Sequence, residues 1–276
     1  MPPRTPLREQ PSADGPCPGG FEAGSSPAGN DDEGWWRGFF ESADSISLSY
    51  FPGPAETRRE VQGLIELLDL SPDDCILDAC CGMGRHAVPL ATQGLQVVGL
   101  DRSSMMLRRA RESASEQDRR PHVVRGEASA LPFPDAAFSV VLNLFNSFGY
   151  GSEAENQQVL SEAARVLRPG GRFFLETRNK GCQLLAVPYQ HAVKLNDGRR
   201  ARLRCFFDQT SQRLVSEWSS QEGGELIYRA AIRLYELPEL QRMFGLAGLR
   251  VEQLLGDYRG GPFVEWQRKL IIVARR

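Results

Sequence analysis

The sequence feature that most constrains the fold is an alternation of short apolar runs with segments of helical pattern, which begins near residue 56. The apolar runs are short enough to be strands, and they lie at 76–77, 97–100, 122–124, 138–144 and 173–175. Consecutive parallel strands need long crossover connections, which are usually helices. The alternation therefore predicts an α/β fold, with a parallel sheet that carries helices on both faces.

Local signals predict where the connecting helices begin and end. The pattern Thr57-x-x-Glu60 is a capping box and predicts a helix that runs to residue 68. Ser103 is placed to cap another helix, and a third is expected over 153–167, before a Pro-Gly-Gly stop.

The segment from about 190 to 235 has a different texture. Charged and apolar residues alternate there, and turn signals stand at 196–198 and at 223–224. This pattern predicts an antiparallel meander that acts as a lid rather than as a second domain.

The first 33 residues are rich in Pro, Gly, Ser and Asp and contain almost no apolar side chains. Such a segment cannot bury enough surface to offset the entropy of ordering it, so residues 1–33 are predicted to be a disordered tail. One domain is expected over 34–276, with the meander as an insertion at about 190–235.

Composition argues against several classes of partner. The 276 residues carry a net charge of −2 with a pI of about 6.0, so no nucleic-acid partner is expected. No apolar run approaches the ~20 residues of a membrane helix, and Pro and Gly interrupt the N-terminus where a signal peptide has its apolar core. The six cysteines show no disulfide or metal spacing. A cytoplasmic protein without a metal is the expectation, and the oligomeric state is left open.

Chemistry is concentrated in a glycine turn after the first strand. Gly82-x-Gly84 lets the backbone approach a ligand at the carboxyl edge, where open α/β sheets bind ligands. Asp101 ends the second strand and is placed to accept two hydroxyls of a ribose. The pattern Gly82-x-Gly84-x-x-Ala87 also fits a dinucleotide enzyme. Against that alternative, Asp78 would repel a pyrophosphate but suits an ammonium group, and the meander replaces a second nucleotide-binding half.

Four stretches of the chain together resemble the motifs of the class I S-adenosylmethionine-dependent methyltransferases. The first motif is matched by Leu77-Asp78-x-x-Cys81-Gly82-x-Gly84-Arg85-His86, and the second by Gly99-Leu100-Asp101-x-Ser103-x-x-Met106-Leu107-x-x-Ala110. The third is matched by 126–133, with Glu127 where Asp is usual, and the helix exit by Arg165-Val166-Leu167-Arg168-Pro169-Gly170-Gly171. The meander is similar, more weakly, to that of sugar and glycine N-methyltransferases.

The resemblance implies a Rossmann-like sheet of seven strands, mostly parallel with the last strand antiparallel, and S-adenosylmethionine as the cofactor. It places Asp78 with the two turn glycines around the methionine portion, Asp101 on the ribose and Glu127 near the adenine. The expected cofactor residues are Tyr50, Asp78, Ala79, Cys80, Gly82, Gly84, Asp101, Arg102, Met106, Glu127, Ala128, Asn143, Leu144 and Phe148. Tyr50 is an open case, since core packing explains it equally well.

Candidate acceptor contacts come from three other segments. Tyr150 follows the fourth strand at the same edge, and Trp36 either packs in the core or roofs the acceptor pocket. The last two strands, expected at 249–255 and 270–273, are joined by a hairpin that should also emerge at this edge. Its candidates are Tyr258, Arg259 and Phe263, and Arg259 could pair a carboxylate or a phosphate.

The expected function is transfer of a methyl group from S-adenosylmethionine to a small-molecule acceptor, at nitrogen or oxygen. Such a transfer needs alignment more than covalent help, and no residue stands out as a general base, so no catalytic residue is assigned. Methylation of RNA or protein, and a binding module without turnover, are the alternatives. RNA is disfavoured by the missing basic patch and by Asn143-Leu144-Phe145-Asn146, which replaces an Asn/Asp-Pro-Pro-Tyr/Phe motif.

Overall fold

The computed structural model describes residues 34–41, 51–195 and 198–276. Its helices are α1 Trp36–Phe39, α2 Pro54–Leu67, α3 Ala87–Thr92, α4 Ser104–Ala114, α5 Glu153–Val166, α6 Lys180–Ala186 and α7 Leu237–Leu246. Its strands are β1 Cys75–Ala79, β2 Gln96–Asp101, β3 His122–Arg125, β4 Phe138–Asn143, β5 Leu167–Arg178, β6 Tyr189–Lys194, β7 Arg200–Asp208, β8 Arg213–Ser220, β9 Leu226–Arg233, β10 Arg250–Leu255 and β11 Lys269–Arg275. The predicted tail, Tyr50 and the turn at Asn196-Asp197 lie outside the described residues.

The main sheet has seven strands in the order β10-β11-β5-β4-β1-β2-β3. The pairs among β1 to β5 are parallel, and β11 runs antiparallel to both of its neighbours. The predicted Rossmann-like sheet with an antiparallel last strand is confirmed. The sheet order brings the ends of β1 and β2, and of β4 and β5, to one edge.

Both faces of the sheet are covered because its strands alternate their side chains between two apolar clusters. Val141 and Phe173 pack with Leu160 and Phe244, from α5 and α7, on one face. Their chain neighbours, such as Phe174, pack on the other face with side chains of α2 and α3. Complete burial of a large apolar side chain is worth about 1.5–3 kcal/mol, so these clusters hold the sheet edge rigidly.

Helix α2 begins earlier than predicted. Its N-cap is Gly53 and Pro54 occupies the first turn, where the missing N–H of proline costs nothing. The proposed capping box at Thr57 and Glu60 is therefore wrong, and both side chains are buried. The predicted Ser103 cap is confirmed, since its hydroxyl accepts a hydrogen bond from the Met106 N–H at 3.1 Å.

The meander forms a separate antiparallel sheet in the order β6-β7-β8-β9, as the alternating pattern predicted. Trp218 is fully buried in its apolar face, in a cluster that also contains Phe39 and Met106. Arg213 anchors the meander to the segment after β4, because its guanidinium donates to the carbonyls of Tyr150 and Gly151 at 3.2 and 2.6 Å. The meander thus covers the carboxyl edge of the main sheet.

Among the residues that the structure describes, no helix combines the length and the apolarity that a membrane span requires.

Candidate functional site

A cavity of about 500 Å³ opens at the carboxyl edge of the main sheet, between the segments that follow β1 to β5, helix α1 and the meander. Most of the residues proposed from the sequence meet here. Those that line the cavity are Trp36, Asp78, Cys80, Gly82, Asp101, Arg102, Met106, Glu127, Ala128, Leu144, Phe148 and Tyr150. They come from segments more than a hundred residues apart, brought together by the parallel sheet.

The two glycines of the turn have different tasks. At Gly82 a Cβ atom would meet nothing within 4 Å, so this backbone stays open to the cavity. At Gly84 a Cβ atom would lie 2.9 Å from Cγ2 of Val88 and 3.2 Å from Cβ of Ala110. Gly84 is not among the lining residues, because its missing side chain permits packing between α3 and α4 rather than approach of a ligand.

Ala79 and Asn143, the paired final residues of β1 and β4, also stay out of the cavity lining. Ala79 is buried in the cluster on the α5 side of the sheet. Both polar side-chain atoms of Asn143 are buried and have no hydrogen-bond partner among the described residues. The cofactor role expected for these two residues therefore gains no support from their position.

The hairpin after β10 does not supply the acceptor contacts expected of it. Tyr258 is buried, and its hydroxyl donates to Oε2 of Glu176 at 2.5 Å. Phe263 packs against the core and Arg259 is exposed, and none of the three lines the cavity. The expectation is corrected because β10 is the outermost strand of its side of the sheet, so its loop folds onto α2 instead.

Two carboxylates, the buried Asp78 and the half-buried Asp101, form the floor of the cavity at the ends of β1 and β2. Asp101 accepts hydrogen bonds from the N–H groups of Gly82 at 2.8 Å and Ser103 at 2.9 Å. Burial, followed by the nearby charge of Asp101, raises the pKa of Asp78 to about 7. Burial also raises the pKa of Asp101, although its backbone hydrogen bonds oppose the rise. A cationic group or hydroxyl donors in the cavity would relieve this cost.

Beside the carboxylates lies a buried ionic network around Glu60. Its carboxylate accepts hydrogen bonds from Arg85 at 2.6 Å and Lys269 at 2.9 Å, and it bonds to Nε2 of His86 at 3.0 Å. Burial alone would raise the pKa of Glu60, but the His86 bond and the two cationic charges hold it well below its usual range. Burial and the charge of Arg85 lower the pKa of His86, so the imidazole is neutral and donates from Nε2.

The two terminal nitrogens of the Arg85 guanidinium differ in their hydrogen bonding. Nη1 bonds to Glu60, whereas Nη2 is buried without a hydrogen-bond partner among the described residues. The guanidinium lies over the Phe145 ring, 4.7 Å from its centroid, and faces the same cavity as Asp78. Sequence reasoning quoted Arg85 within the first motif but gave it no role, although a cation directly after the glycine turn was the available signal.

The aromatic side chains of Trp35, Phe40 and Tyr150, here called the aromatic roof, cover the cavity on the side of α1. Nε1 of Trp35 donates to the carbonyl of Ala231 at 2.9 Å, which ties the start of α1 to β9. The Trp35 and Tyr150 rings lie 5.0 Å apart, and the Phe40 ring stacks on Tyr150 at 6.0 Å. Trp36 belongs to the same aromatic cluster, with its ring 6.4 Å from that of Tyr150.

Comparison with known proteins bears on what this cavity binds. Residues 76–171 match the family model of the methyltransferase domain. The N-terminal methyltransferase of cypemycin from Streptomyces is 29% identical over 209 residues, which are 73% of this chain and 82% of that protein. The CcbJ methyltransferase of Streptomyces caelestis superposes with a TM-score of 0.69 at 27% identity, over 82% of this chain and 92% of that one.

A second solved structure names the cofactor. The S-adenosylmethionine-dependent methyltransferase of Clostridium acetobutylicum shares the fold with a TM-score of 0.68 at 15% identity, over 79% of this chain and 91% of that one. Residues 76–171 of the chain are therefore a methyltransferase domain, and the chain has the fold of S-adenosylmethionine-dependent methyltransferases. It spans only about half the length of other curated relatives, such as the 27-O-demethylrifamycin SV methyltransferase of Amycolatopsis mediterranei, at 37% identity over 122 residues.

The cavity of this methyltransferase suits a zwitterionic nucleoside. Gly82 leaves open space, and Asp78 and Asp101 present a buried and a half-buried carboxylate. Arg85 presents a buried N–H that has no acceptor among the described residues. Glu127 is less available than expected, because Nε of Arg102 donates to it at 2.6 Å. That ion pair and the 3.7 Å contact with Arg37 hold the carboxylate at the edge of the roof.

The methyltransferase also has cations at the other end of its cavity, which sequence reasoning missed. Arg178, Arg268 and Lys269 line it there, and Arg178 is the register partner of Lys269 across β5 and β11. Burial raises the pKa of Tyr150, and the positive charge of Arg178, which lines the same cavity, opposes that rise. No local sequence pattern distinguishes Arg178, because an arginine at the end of a strand is not unusual in this chain.

Proposed function

We propose that this methyltransferase transfers a methyl group from S-adenosylmethionine to a small-molecule acceptor, at nitrogen or oxygen. The observation that carries the proposal is the cavity of about 500 Å³, with carboxylates at one end, cations at the other and an aromatic roof. A space of this size suits a cofactor and a compact acceptor group. The names of the cypemycin and rifamycin methyltransferases, which refer to an N-terminus and an oxygen, support both directions.

The cofactor would be held at its charged end by side chains of opposite sign. Asp78 is placed to accept from the ammonium group of the methionine portion, and Nη2 of Arg85 to donate to its carboxylate. Asp101 still has lone pairs for the ribose hydroxyls after accepting from Gly82 and Ser103. Met106, Leu144 and the Ala128 segment would surround the adenine.

When bound, S-adenosylmethionine supplies a methyl group activated by a sulfonium. The chain itself contributes alignment and exclusion of water. The roof of Trp35, Phe40 and Tyr150 shields the cavity, and the meander closes its side through Ser216 and Ile232.

The protonation states of the side chains that line the cavity favour an acceptor that does not have to lose a proton before the transfer. Burial keeps the pKa of Tyr150 above its usual value, so the phenol stays protonated at neutral pH. His86 already donates to Glu60. A neutral amine, which needs no general base, fits this environment better than an alcohol.

Turnover with isotopically labelled S-adenosylmethionine and a fractionated metabolite extract tests the proposal. We expect the label in a small organic product. Label in RNA or protein would favour the macromolecular alternative, and cofactor binding without any labelled product would favour a binding module. Asp101→Ala serves as the inactive control, since loss of hydrogen bonds to a charged group should weaken cofactor binding by about 1.5–3 kcal/mol.

A further inference from the structure

We infer that the acceptor carries an anionic group, a carboxylate or a phosphate, and that Arg178 binds it. The inference rests on the proposed function, because it concerns the acceptor end of the same cavity. Its basis is a guanidinium that the described chain leaves without an anion.

Arg178 is the last residue of β5 and lines the cavity. Its Nε is buried and has no hydrogen-bond partner among the described residues, and no described carboxylate forms an ion pair with it. A buried donor without an acceptor is costly, and native proteins rarely keep one without a reason. A bound ligand with acceptor oxygens would supply the missing partner.

The neighbouring cation, Lys269, differs from Arg178 because carboxylates pair with it. Nζ of Lys269 lies 2.9 Å from Oε1 of Glu60 and 3.3 Å from Oε1 of Glu176, so two carboxylates neutralise it. Arg178 stands directly across the ladder from Lys269 but shares neither carboxylate. The positive charge that remains for a ligand at this end is therefore centred on Arg178, with Arg268 at the rim of the cavity.

The position of Arg178 assigns it to the acceptor rather than to the cofactor. Sheet order separates β5 from β1 by two steps and from β2 by three. Adjacent strands lie about 4.8 Å apart, so β5 lies roughly 10 Å from β1, which carries Asp78, and roughly 14 Å from β2, which carries Asp101. Arg85, by contrast, influences the pKa of Asp78 directly and lies at the cofactor end.

The chemistry of arginine narrows the ligand to a planar or tetrahedral oxyanion. A guanidinium can donate two parallel hydrogen bonds to a carboxylate or a phosphate. Tyr150 and the aromatic roof line the same cavity as Arg178, so an acceptor with an apolar body and an anionic group would satisfy both surfaces.

Ligand binding to the protein saturated with S-adenosylhomocysteine tests this inference. The probes are benzoate and its neutral analogue benzamide for the carboxylate arm, and inorganic phosphate for the phosphate arm, all titrated by calorimetry. We expect benzoate or phosphate to bind and benzamide to bind much more weakly. Arg178→Gln should weaken anion binding about ten- to a hundredfold, in line with a charged hydrogen bond, whereas Arg178→Lys should retain part of it.

Two controls separate the possible failures. Arg259→Gln removes an exposed arginine outside the cavity and should leave anion binding unchanged. Arg178→Gln should bind S-adenosylhomocysteine within about threefold of wild type. The inference is overturned if neither anion binds, if benzamide binds as well as benzoate, if Arg178→Gln retains anion binding, or if that variant loses cofactor affinity instead. Failure of the wild-type protein to bind S-adenosylhomocysteine would overturn the proposed function itself.

Discussion

Asp78 shows how a single buried carboxylate can cost stability and serve binding. It is 2% exposed, and the ligand-free fold must hold it beside Asp101 at the end of β1. Its pKa rises to about 7 in the folded protein from an ordinary value of 3.8. The protonated form therefore stabilises the fold fully below pH 3.8, and this contribution is lost as the pH rises through about 7.

Asp78→Asn should raise the unfolding free energy of the ligand-free protein at pH 8, because an amide carries no charge to bury. The gain over wild type should be on the order of 2–4 kcal/mol at pH 8 and should shrink towards pH 4. Denaturant unfolding at both pH values measures it, with Asp73→Asn, an exposed position, as control. Equal effects of Asp78→Asn at both pH values would show that Asp78 is not the titrating group.

Substitution of each turn glycine by alanine should have a different effect at the two positions. Gly82→Ala adds a methyl group that meets no protein atom within 4 Å. At a φ of +55° it carries some backbone strain, but its main effect should be weaker binding of S-adenosylhomocysteine. Gly84→Ala forces contacts with Val88 and Ala110 at a φ of +80° and should cost about 1–3 kcal/mol of stability. Calorimetric binding and denaturant unfolding of both variants test the pair, and identical profiles would contradict the division of roles.

At the scale of elements, the four residues of α1 are held in place by other parts of the chain. A helix this short is not stable by itself. Trp35 donates to Ala231 and accepts at its carbonyl from Tyr228, and Arg102 donates to the carbonyl of Arg37. The roof is thus fastened both to the meander and to the segment after β2.

Trp35→Ala should loosen this roof while leaving the sheet folded. The change removes one buried hydrogen bond and several ring contacts, each aromatic pair being worth about 0.5–1.5 kcal/mol. We expect the affinity for S-adenosylhomocysteine to fall about tenfold, measured by calorimetry. Trp266→Ala, at a site that is 75% exposed, should leave the affinity unchanged. A Trp35→Ala protein with wild-type affinity would exclude α1 from closing the cofactor site.

At the scale of the whole molecule, a bound cofactor should contact segments that follow five different strands and should thereby stabilise the folded state. The cavity draws side chains from the ends of β1, β2 and β5, so a ligand that fills it ties distant parts of the chain together. Any ligand that binds only the folded state shifts unfolding by mass action.

S-adenosylhomocysteine at ~100 times its dissociation constant should stabilise the protein by roughly 2.7 kcal/mol. For a chain of this size that corresponds to a rise in Tm of about 5–10 °C. NAD should produce no shift, because Asp78 stands where a pyrophosphate would lie. Differential scanning fluorimetry distinguishes the two, and an equal rise with NAD would contradict the nucleoside assignment.

The sequence by itself determined the order of strands and helices, the Ser103 cap, the open turn at Gly82 and the carboxylates of Asp78 and Asp101. These features depend on patterns within a few residues, and the ends of parallel strands meet at one edge by geometry alone. The tertiary structure decided the features that depend on distant partners. Tyr258 turns inward because its hydroxyl donates a hydrogen bond to Glu176, 82 residues away, and Glu60 is a core residue because Lys269, 209 residues away, pairs with it. A local sequence pattern carries no information about such partners. The position of Arg85 directly after the glycine turn could have marked it, but Arg178 could be recognised only once the packing showed that its Nε has no hydrogen-bond partner among the described residues.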